Sequence, residues 1–324
     1  MRREVLISIV LVFILISVLI AFAIGANDET FSTIYGSKFL NMKEVLILAV
    51  IFAIMGALLL GRAVSETVGN NILYIEITPE VVITILISTA IWLIIASVLE
   101  LPISTTHATI GAIIGIGVYL GGGNGVNWPI ILELSLWWIL SPVIGFVVTY
   151  IVYKIIHKTI INKLNGFEDF ERTERIFAYI LLGSICLTAF SRAGNDCSNA
   201  VGIVVGVGGM DVNLILFVAG LSFASGIVVL GRGVIKNLSQ VTELHPSTAF
   251  AAEVPTAIIL FIGTLRGIPL SGSHMLVASL LGLAKARRAP VKKGIWKIIV
   301  VWLLTFPMAG IFSIILYNII SFFV

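Results

Sequence analysis

Two short polar segments stand beside long apolar stretches, one in each half of the sequence. The first holds Asn27 and Asp28, and the second holds Asn195 and Asp196. Each segment contains a glycine, which permits a helix to break and to free backbone carbonyls. Carbonyl, amide and carboxylate oxygens are hard ligands suited to Na⁺, and a carboxylate can also accept a proton. We therefore predict Na⁺ at both aspartates, with capping of an ordinary helix end as the structural alternative.

Two hydroxyl-rich segments also recur, each shortly after a proline. Proline near a helix start and Ser or Thr at the cap are signals of a helix N-terminus. Such an N-terminus offers unpaired N–H donors and a partial positive charge, so it can bind an anion. Two of them facing each other could hold a tetrahedral oxyanion, whereas ordinary capping is again the alternative. The candidate anion ligands are Ser104, Thr105, Thr106, Ser271, Gly272 and Ser273.

Charged and titratable residues in apolar surroundings are the remaining candidates, because each is costly to place in a membrane. Arg192 could bind phosphate or sulfate through its planar guanidinium, or pair with the aspartate four residues later. Glu66 and Glu253 lie in or near apolar stretches. Each could be a cation ligand or an interfacial residue. His107 and His274 occupy matching positions in the two hydroxyl-rich segments. Each could make a structural hydrogen bond or act as a ligand.

The elements that must position these residues are membrane helices. Charged residues make up 11% of the 324-residue chain and apolar residues 59%, with a mean hydropathy of +1.12. A soluble domain carries about 25% charged residues, so this chain cannot cover a soluble surface. Helical spans of roughly 20 apolar residues predict an all-α polytopic fold with about ten membrane segments. They lie at 5–24, 45–61, 81–99, 101–120, 134–153, 176–191, 212–231, 246–265, 267–284 and 298–324.

Landmarks recur in the same order along the chain, which indicates an internal repeat. Besides the two kinds of polar segment, Gly61-Arg62 matches Gly231-Arg232, and Trp138 matches Trp302. The predicted domains are a first repeat at 1–155, a linker at 156–175 and a second repeat at 176–324.

The cations in the loops predict that the two repeats are inverted. The loop Gly121–Asn127 holds no cation, whereas its counterpart Lys285–Lys297 holds six. Cytoplasmic loops collect Lys and Arg, so one loop is expected outside the cell and the other inside. The charged linker is then cytoplasmic, and both termini face outside the plasma membrane. Inverted repeats with broken helices are typical of secondary transporters.

Other function classes fit the sequence poorly. Cys186 and Cys197 are too few for a disulfide framework or a metal site. The sequence lacks a nucleophile–base set, a Cys/His/Asp metal cluster and an ATP-binding P-loop, so we expect neither an enzyme nor a cofactor. The net charge of +3 does not indicate nucleic-acid binding.

Several of these segments together resemble the inorganic phosphate transporter (PiT) family, over essentially the whole chain. They are Gly25-Ala26-Asn27-Asp28, Gly194-Asn195-Asp196, Pro102 to His107, Gly231 to Ile235 and Phe250 to Glu253. That family includes Na⁺-coupled and proton-coupled phosphate carriers, with sulfate permeases among its relatives. The resemblance implies an inverted, duplicated helical fold with broken or re-entrant helices, often as a homodimer. It also implies that the Asn-Asp residues hold cations and substrate, and that the Ser and Thr hydroxyls bind the anion.

The chain departs from the family pattern near the inferred site. Glu29 begins a Glu-Thr-Phe-Ser stretch where the family usually continues with Val-Ala-Asn-Ala, and Gly272 interrupts the second Ser-Thr-Thr-His. Arg192 stands where a histidine is frequent. Asn237 replaces a threonine whose first-half counterpart, Thr67, is kept and joins the expected cation ligands.

We therefore expect a secondary transporter that imports inorganic phosphate with Na⁺ or H⁺ by alternating access in the lipid bilayer. A sulfate permease of the same fold is an alternative, motivated by Arg192 and Gly272. An anion channel is a further alternative from another class.

Overall fold

The computed structural model describes residues 2–98, 104–207, 210–239, 245–289 and 295–323, and these ranges contain twelve α-helices. They are α1 (Arg2–Ala26), α2 (Ser32–Gly36), α3 (Met42–Glu66), α4 (Pro79–Val98), α5 (Thr105–Gly121), α6 (Trp128–Thr159), α7 (Phe167–Val207), α8 (Val212–Gly226), α9 (Arg232–Ser239), α10 (Pro246–Leu265), α11 (Gly272–Arg287) and α12 (Ile295–Phe323). The described part of the chain has no β-strand, and its single isolated bridge joins Leu73 to Val126. Parts of the sequence predictions lie outside the described residues: Pro102, Ile103, Lys292, Lys293 and the ends of the predicted spans 81–99, 101–120 and 298–324.

Six helical stretches within the described residues are long and apolar enough to cross a bilayer. They are Met42–Asn71, Trp128–Lys163, Phe167–Val207, Val212–Lys236, Pro246–Leu265 and Ile299–Phe322. Val10–Ala26 and Pro79–Ile95 are apolar but shorter. An all-helical membrane protein is thereby confirmed, while the total of about ten segments stays a prediction.

Burial separates central helices from peripheral ones. At least half of the most apolar part of α7, α8 and α10 is buried, against 17% for α6 and 28% for α12. The peripheral helices expose large apolar side chains such as Leu132, Leu136 and Leu303. In a membrane, lipid tails cover such a surface. Because the tails are as apolar as the side chains, their contact carries no free-energy penalty. Most of the charged and polar candidates lie on or against the central helices.

Close contacts between helices connect the two predicted repeats throughout. α1 packs against α8 and α3 against α7, while α5 packs against α12 and α11 against α6. Glycines permit the close approach: a side chain at Gly25 would overlap the carbonyl of Phe223, and one at Gly194 would lie 2.7 Å from the Cβ of Leu60. Small residues at such interfaces let membrane helices pack backbone to backbone. Each repeat therefore contributes helices to contacts with the other.

The second polar segment lies inside a continuous helix, so the predicted break there is wrong. α7 runs through Asn195 and Asp196 without interruption, whereas α1 ends at Ala26, just before the first segment's Asn-Asp pair. The glycine of the second segment, Gly194, packs against α3 instead of ending the helix. The Asn195 side chain bonds to a distant part of the chain and therefore does not compete for its own helix backbone. Only side chains, not freed carbonyls, are available as ligands at this segment.

Two shorter helices begin at buried positions. α5 and α11 have 17 and 16 residues, and their N-caps, Ser104 and Ser271, are 2% and 6% exposed. At 1.5 Å per residue, each is about 25 Å long and falls short of the roughly 30 Å of a bilayer core. The two N-termini meet, since the ring centroids of His107 and His274 are 4.7 Å apart.

Candidate functional site

Charged side chains gather where the turn after α1 meets α7 and the N-terminus of α11, with Arg192 at the centre. Its Nη1 lies 2.9 Å from Glu29 Oε1 and its Nη2 lies 3.2 Å from Glu29 Oε2, so the guanidinium grips this carboxylate with both arms. Nε lies 3.2 Å from Asp196 Oδ2, and Nη1 lies 3.6 Å from Asp28 Oδ1. The ion pair with Asp196 that the sequence allowed is present, and the stronger contact with Glu29 adds to it.

Asp28 shapes the turn that follows α1. Its Oδ1 accepts hydrogen bonds from the backbone N–H of Thr30 at 2.8 Å and from the Thr30 hydroxyl at 2.6 Å. Short polar side chains stabilise turns through such local bonds to the backbone. The side chain is buried and also lies against Arg192. Asp28 therefore combines the structural role that the sequence left open with a place in the charged cluster.

Asp196 links α7 to the N-terminus of α5. The Thr105 hydroxyl donates to Asp196 Oδ1 at 3.3 Å, while the second carboxylate oxygen accepts from Arg192. Thr105 is the first residue of α5. One of the predicted anion ligands thus lies directly against one of the predicted cation ligands.

The N-terminus of α11 approaches the same guanidinium. Ser273 Oγ lies 3.2 Å from Arg192 Nη2 and 3.1 Å from Glu29 Oε1. A side chain at Gly272 would lie 3.3 Å from the Cδ and Nε atoms of Arg192, so the glycine leaves room for the guanidinium. Ser271 instead caps its own helix by accepting from the backbone N–H of His274 at 3.3 Å. The equivalent serine of α5 does the same, so both cap serines have the alternative, structural role.

Asn195 holds the segment that leads into α11. Its amide donates to Thr264 Oγ1 at 3.2 Å and to the carbonyl of Ile268 at 3.0 Å, and its Oδ1 accepts from the backbone N–H of Leu270 at 3.1 Å. The residue is fully buried. Asn195 thus positions the N-terminus of α11, and its amide is engaged with protein partners.

A second polar link joins α5 to the same segment. Thr106 Oγ1 donates to the carbonyl of Leu270 at 2.9 Å and accepts from Asn199 Nδ2, also at 2.9 Å. The Oδ1 atom of Asn199 is buried and has no hydrogen-bond partner. A buried acceptor without a partner calls for an explanation, and an oxygen of this kind is a ligand that Na⁺ can use.

Glu253 on α10 completes the acidic set. It is 1% exposed, and its Oε1 accepts from the Thr33 hydroxyl of α2 at 3.2 Å. In the described part of the chain, the carboxylates of Asp28, Glu29 and Asp196 share the single guanidinium of Arg192, and Glu253 adds a further buried carboxylate.

Three predicted ligands lie elsewhere or are otherwise engaged. Glu66 is 48% exposed and pairs with Arg62 of the same helix at 2.9 Å, so the structure does not bring it into the buried cluster. Asn27 is exposed beside Asp28, and its amide donates to a carbonyl of α1. Thr67 donates to a carbonyl of its own helix at 3.2 Å.

The two histidines are packed among aromatic rings. The centroid of His107 lies 4.6 Å from that of Trp138, and the centroid of His274 lies 3.9 Å from that of Trp302. The Nε2 atoms of both histidines are buried without a hydrogen-bond partner. The matching Trp and His landmarks of the two repeats are thus in contact where α5 and α11 meet, but neither Nε2 makes the hydrogen bond that the structural alternative predicts.

Glu29 and Asn199 are the site residues that the sequence reasoning did not select. Glu29 was visible only as a departure from the family pattern, and so were Arg192 and Gly272. The structure brings these three departures into contact with one another. Glu29 and Arg192 both depart from the family pattern, and each lies close to one of the Asn-Asp pairs. Two departures of opposite charge at matching places are the signal that could have predicted an ion pair between them.

Residues 24–313 match the profile of the Phosphate transporter family. The chain belongs to this family. The resemblance seen in the sequence is thereby confirmed, and the family is one of transporters rather than enzymes.

Similar proteins carry names that agree with this assignment. A phosphate permease of Pyrococcus furiosus is 28% identical, over 96% of this chain and 96% of its own length. A low-affinity inorganic phosphate transporter of Rhizobium meliloti is also 28% identical, over 90% of this chain and 91% of its own. The chloroplastic inorganic phosphate transporter 2-1 of Arabidopsis thaliana is 24% identical, over 91% of this chain and 69% of its own.

A solved structure has the same fold as this Phosphate transporter family member. It is described as the sodium-dependent phosphate transporter, and it superposes with a TM-score of 0.89 at 23% sequence identity. The match covers 98% of this chain and 100% of the other. At this identity, the likeness establishes the fold of the chain and nothing finer.

Proposed function

We propose that this chain imports inorganic phosphate together with Na⁺ by alternating access. The observation that carries the proposal is the excess of carboxylates around Arg192, where three acidic side chains contact one guanidinium. Burying an unpaired charge costs several kcal/mol in a real protein, so buried charges are paired or neutralised. Cations that bind at Asp28 and Asp196 supply the missing positive charge.

The same cluster offers donors for an oxyanion. The helix N-termini of α5 and α11 approach it through Thr105 and Ser273. A helix N-terminus favours negative charge, and a guanidinium binds phosphate with two parallel hydrogen bonds. Anion and cation sites that adjoin in this way let each charge stabilise the other.

Electrostatics explains why the two should travel together. Moving one charge across the membrane is worth about 2.3 kcal/mol per 100 mV, so an anion that enters an inside-negative cell pays this amount for each charge. Co-transported cations that cancel the anion's charge remove the cost. Na⁺ is our choice of coupling ion because oxygen ligands suit it and because the structural neighbour is described as sodium-dependent. H⁺ is the alternative coupling ion, and uptake under separate Na⁺ and proton gradients distinguishes the two.

We further propose that 1–155 and 176–324 are inverted repeats joined by a cytoplasmic linker, with both termini outside the plasma membrane. The order of helices supports this: in each repeat a short helix with a buried N-cap serine follows the long spans. Each repeat packs its helices on the other, as α1 does on α8 and α7 on α3. The bodies that move during alternating access therefore combine helices of both repeats. A homodimer in the bilayer belongs to the same proposal.

Uptake into proteoliposomes tests the proposal. The full chain is reconstituted, and labelled phosphate is supplied outside under an inward Na⁺ gradient, then under an inward proton gradient without Na⁺. We expect accumulation above equilibrium with Na⁺ only. Accumulation driven by protons alone would assign H⁺ as the coupling ion. Phosphate flux that only equilibrates under both gradients would contradict a coupled carrier and support an anion channel.

Sulfate transport by the same fold is the second candidate. It is motivated by Arg192, whose guanidinium binds either tetrahedral anion, and by Gly272, which makes room for that guanidinium. Competition between the anions decides. If unlabelled sulfate at equal concentration suppresses phosphate uptake more than unlabelled phosphate does, sulfate is the better substrate.

A further inference from the structure

We propose that Glu29 is a tethered competitor of the transported oxyanion: its carboxylate occupies Arg192 and Ser273 in the empty carrier, and phosphate must displace it in order to bind. The inference rests on the proposed function and adds to it a residue that determines affinity. Glu29 belongs to neither the predicted cation ligands nor the predicted anion ligands.

The geometry of the contact is that of a bound oxyanion. Both carboxylate oxygens of Glu29 accept from Arg192, at 2.9 and 3.2 Å, in the paired arrangement that a guanidinium also forms with phosphate. Ser273 Oγ lies 3.1 Å from Glu29 Oε1 and adds a hydroxyl from the first turn of α11. Glu29 therefore uses an arginine fork and a small hydroxyl at the start of α11, which are groups that recognise an oxyanion.

Glu29 is also the partner that can leave. It lies in the turn between α1 and α2, outside any helix, with 15% of its side chain exposed. Arg192 is inside α7, is 9% exposed, and lies against Gly272 of α11. Its contacts with Asp196 and Asp28 persist when Glu29 departs. Displacement thus costs one side-chain rotation and leaves the guanidinium in place.

The arrangement solves a problem of the empty carrier. When phosphate leaves, the Nη atoms of Arg192 and the Ser273 hydroxyl would lose their acceptor, although Asp196 and Asp28 still balance the charge of the guanidinium. Glu29 returns to Arg192 as phosphate leaves, so the charge around the site changes less between loaded and empty states. The cost is affinity, because phosphate gains only the difference between its own contacts and those of Glu29.

Direct binding of inorganic phosphate tests this. The full chain is placed in lipid nanodiscs at fixed Na⁺, and the dissociation constant is measured by calorimetry for wild type and Glu29→Gln. Because hydrogen bonds to charged groups are stronger than neutral ones, removing the charge of Glu29 should tighten binding about tenfold or more. The matched control is Glu171→Gln, which removes an exposed Glu–Arg pair on the same helix as Arg192 and should leave the constant unchanged. Unchanged or weaker binding in Glu29→Gln overturns the proposal.

Two further variants exclude a merely structural role. Glu29→Asp keeps the charge but shortens the reach, so it should tighten binding a few-fold, and no change would again overturn the proposal. Glu29→Gln combined with Arg192→Gln keeps the net charge and replaces the ion pair by two amides. Loss of phosphate binding in this folded double variant is expected, because Arg192 is the shared ligand; retained binding contradicts the proposal.

Failure of the proposed function gives a different result. In uptake, Glu29→Gln should lower KM for phosphate without raising the maximal rate, whereas a structural brace would lower the rate and leave KM unchanged. A wild type that binds sulfate but not phosphate contradicts the proposed substrate, and the same comparison is then made with sulfate. Equal affinity of wild type and Glu29→Gln for the bound anion contradicts the displacement alone.

Discussion

At the scale of single residues, the main finding is the set of carboxylates that surrounds Arg192. Its guanidinium does not stand free for substrate: it is paired with Glu29 and Asp196 and lies close to Asp28. Buried charges are costly unless they are balanced, and here three carboxylates contact one guanidinium. The carboxylates outnumber the guanidinium, and this imbalance leads to the prediction of cation binding.

The two aspartates should be essential for coupling and dispensable for folding. Asp28→Asn keeps an Oδ1 that can accept from Thr30, and Asp196→Asn keeps an acceptor for Arg192, so the unfolding midpoint should stay near that of wild type. Each change removes a charge from the proposed cation site, and we expect Na⁺-driven phosphate uptake to be lost. Glu171→Gln is the control of equal chemistry at an exposed position. Full uptake in both aspartate variants would contradict the cation role.

At the scale of elements, the two Asn-Asp segments have different structures. The first follows the end of α1, and the second is built into the middle of a 41-residue helix. Continuity of α7 gives Arg192, Asn195, Asp196 and Asn199 fixed positions on one rigid element. The other half of the site is the turn after α1, which lies outside any helix and carries Asp28 and Glu29.

The contact between α3 and α7 depends on a glycine. In Gly194→Ala the new methyl would lie 2.7 Å from the Cβ of Leu60, so we expect a loss of stability of about 1–3 kcal/mol and a lower unfolding midpoint in detergent. Gly183→Ala in the same helix is the matched control. It meets nothing within 4 Å and replaces glycine by a better helix former, so its midpoint should be unchanged or higher. Equal midpoints for the two variants would contradict close packing at Gly194.

The segment that leads into α11 depends on Asn195. Asn195→Leu removes bonds to Ile268 and Leu270, which leaves a buried N–H and C=O unpaired at a cost of about 1–3 kcal/mol each. We expect a lower unfolding midpoint and loss of phosphate uptake, because the N-terminus of α11 is displaced. Asn162→Leu, at an exposed position of the linker, is the control. A variant at Asn195 that keeps its midpoint but loses uptake would instead indicate a direct ligand.

At the scale of the whole molecule, the two predicted repeats are interleaved rather than side by side. α1 and α3 of the first repeat pack on α8 and α7 of the second, and α5 and α6 pack on α12 and α11. The ion pair of Glu29 with Arg192 and the bond of Thr105 to Asp196 also cross between them. Neither repeat can be expected to fold without the other, because helices of each are packed against helices of the other.

The membrane orientation can be tested with single cysteines. We expect Asn162→Cys, in the linker, to react with an impermeant maleimide only in inside-out vesicles, and Gly123→Cys, in the cation-free loop, only in right-side-out vesicles. Both positions are exposed. The wild type sets the background, since Cys197 is buried and Cys186 is half-buried. Labelling of both positions from one side would contradict the proposed orientation, in which α6 crosses the membrane between them.

The sequence by itself determined the class of the protein and its family. Apolar stretches and scarce charge are local properties of the chain, and they sufficed for an all-helical membrane protein. The paired polar segments carried the family resemblance, and the Ser104 and Ser271 caps lie at helix N-termini as predicted. These features depend on neighbours a few residues away, and periodicity and capping can be read at that range.

Only the tertiary structure decided how the site is built. Whether α7 breaks at Asn195 depends on what Gly194 packs against, and whether Glu66 joins the cluster depends on which way its helix faces. The partner of Arg192 is Glu29, which is far away in the chain and becomes a neighbour only when α1, α7 and α11 converge. The sequence around a charged side chain does not indicate which distant residue it will pair with. The contact between Glu29 and Arg192, on which the proposed role of Glu29 rests, therefore appears only in the folded molecule.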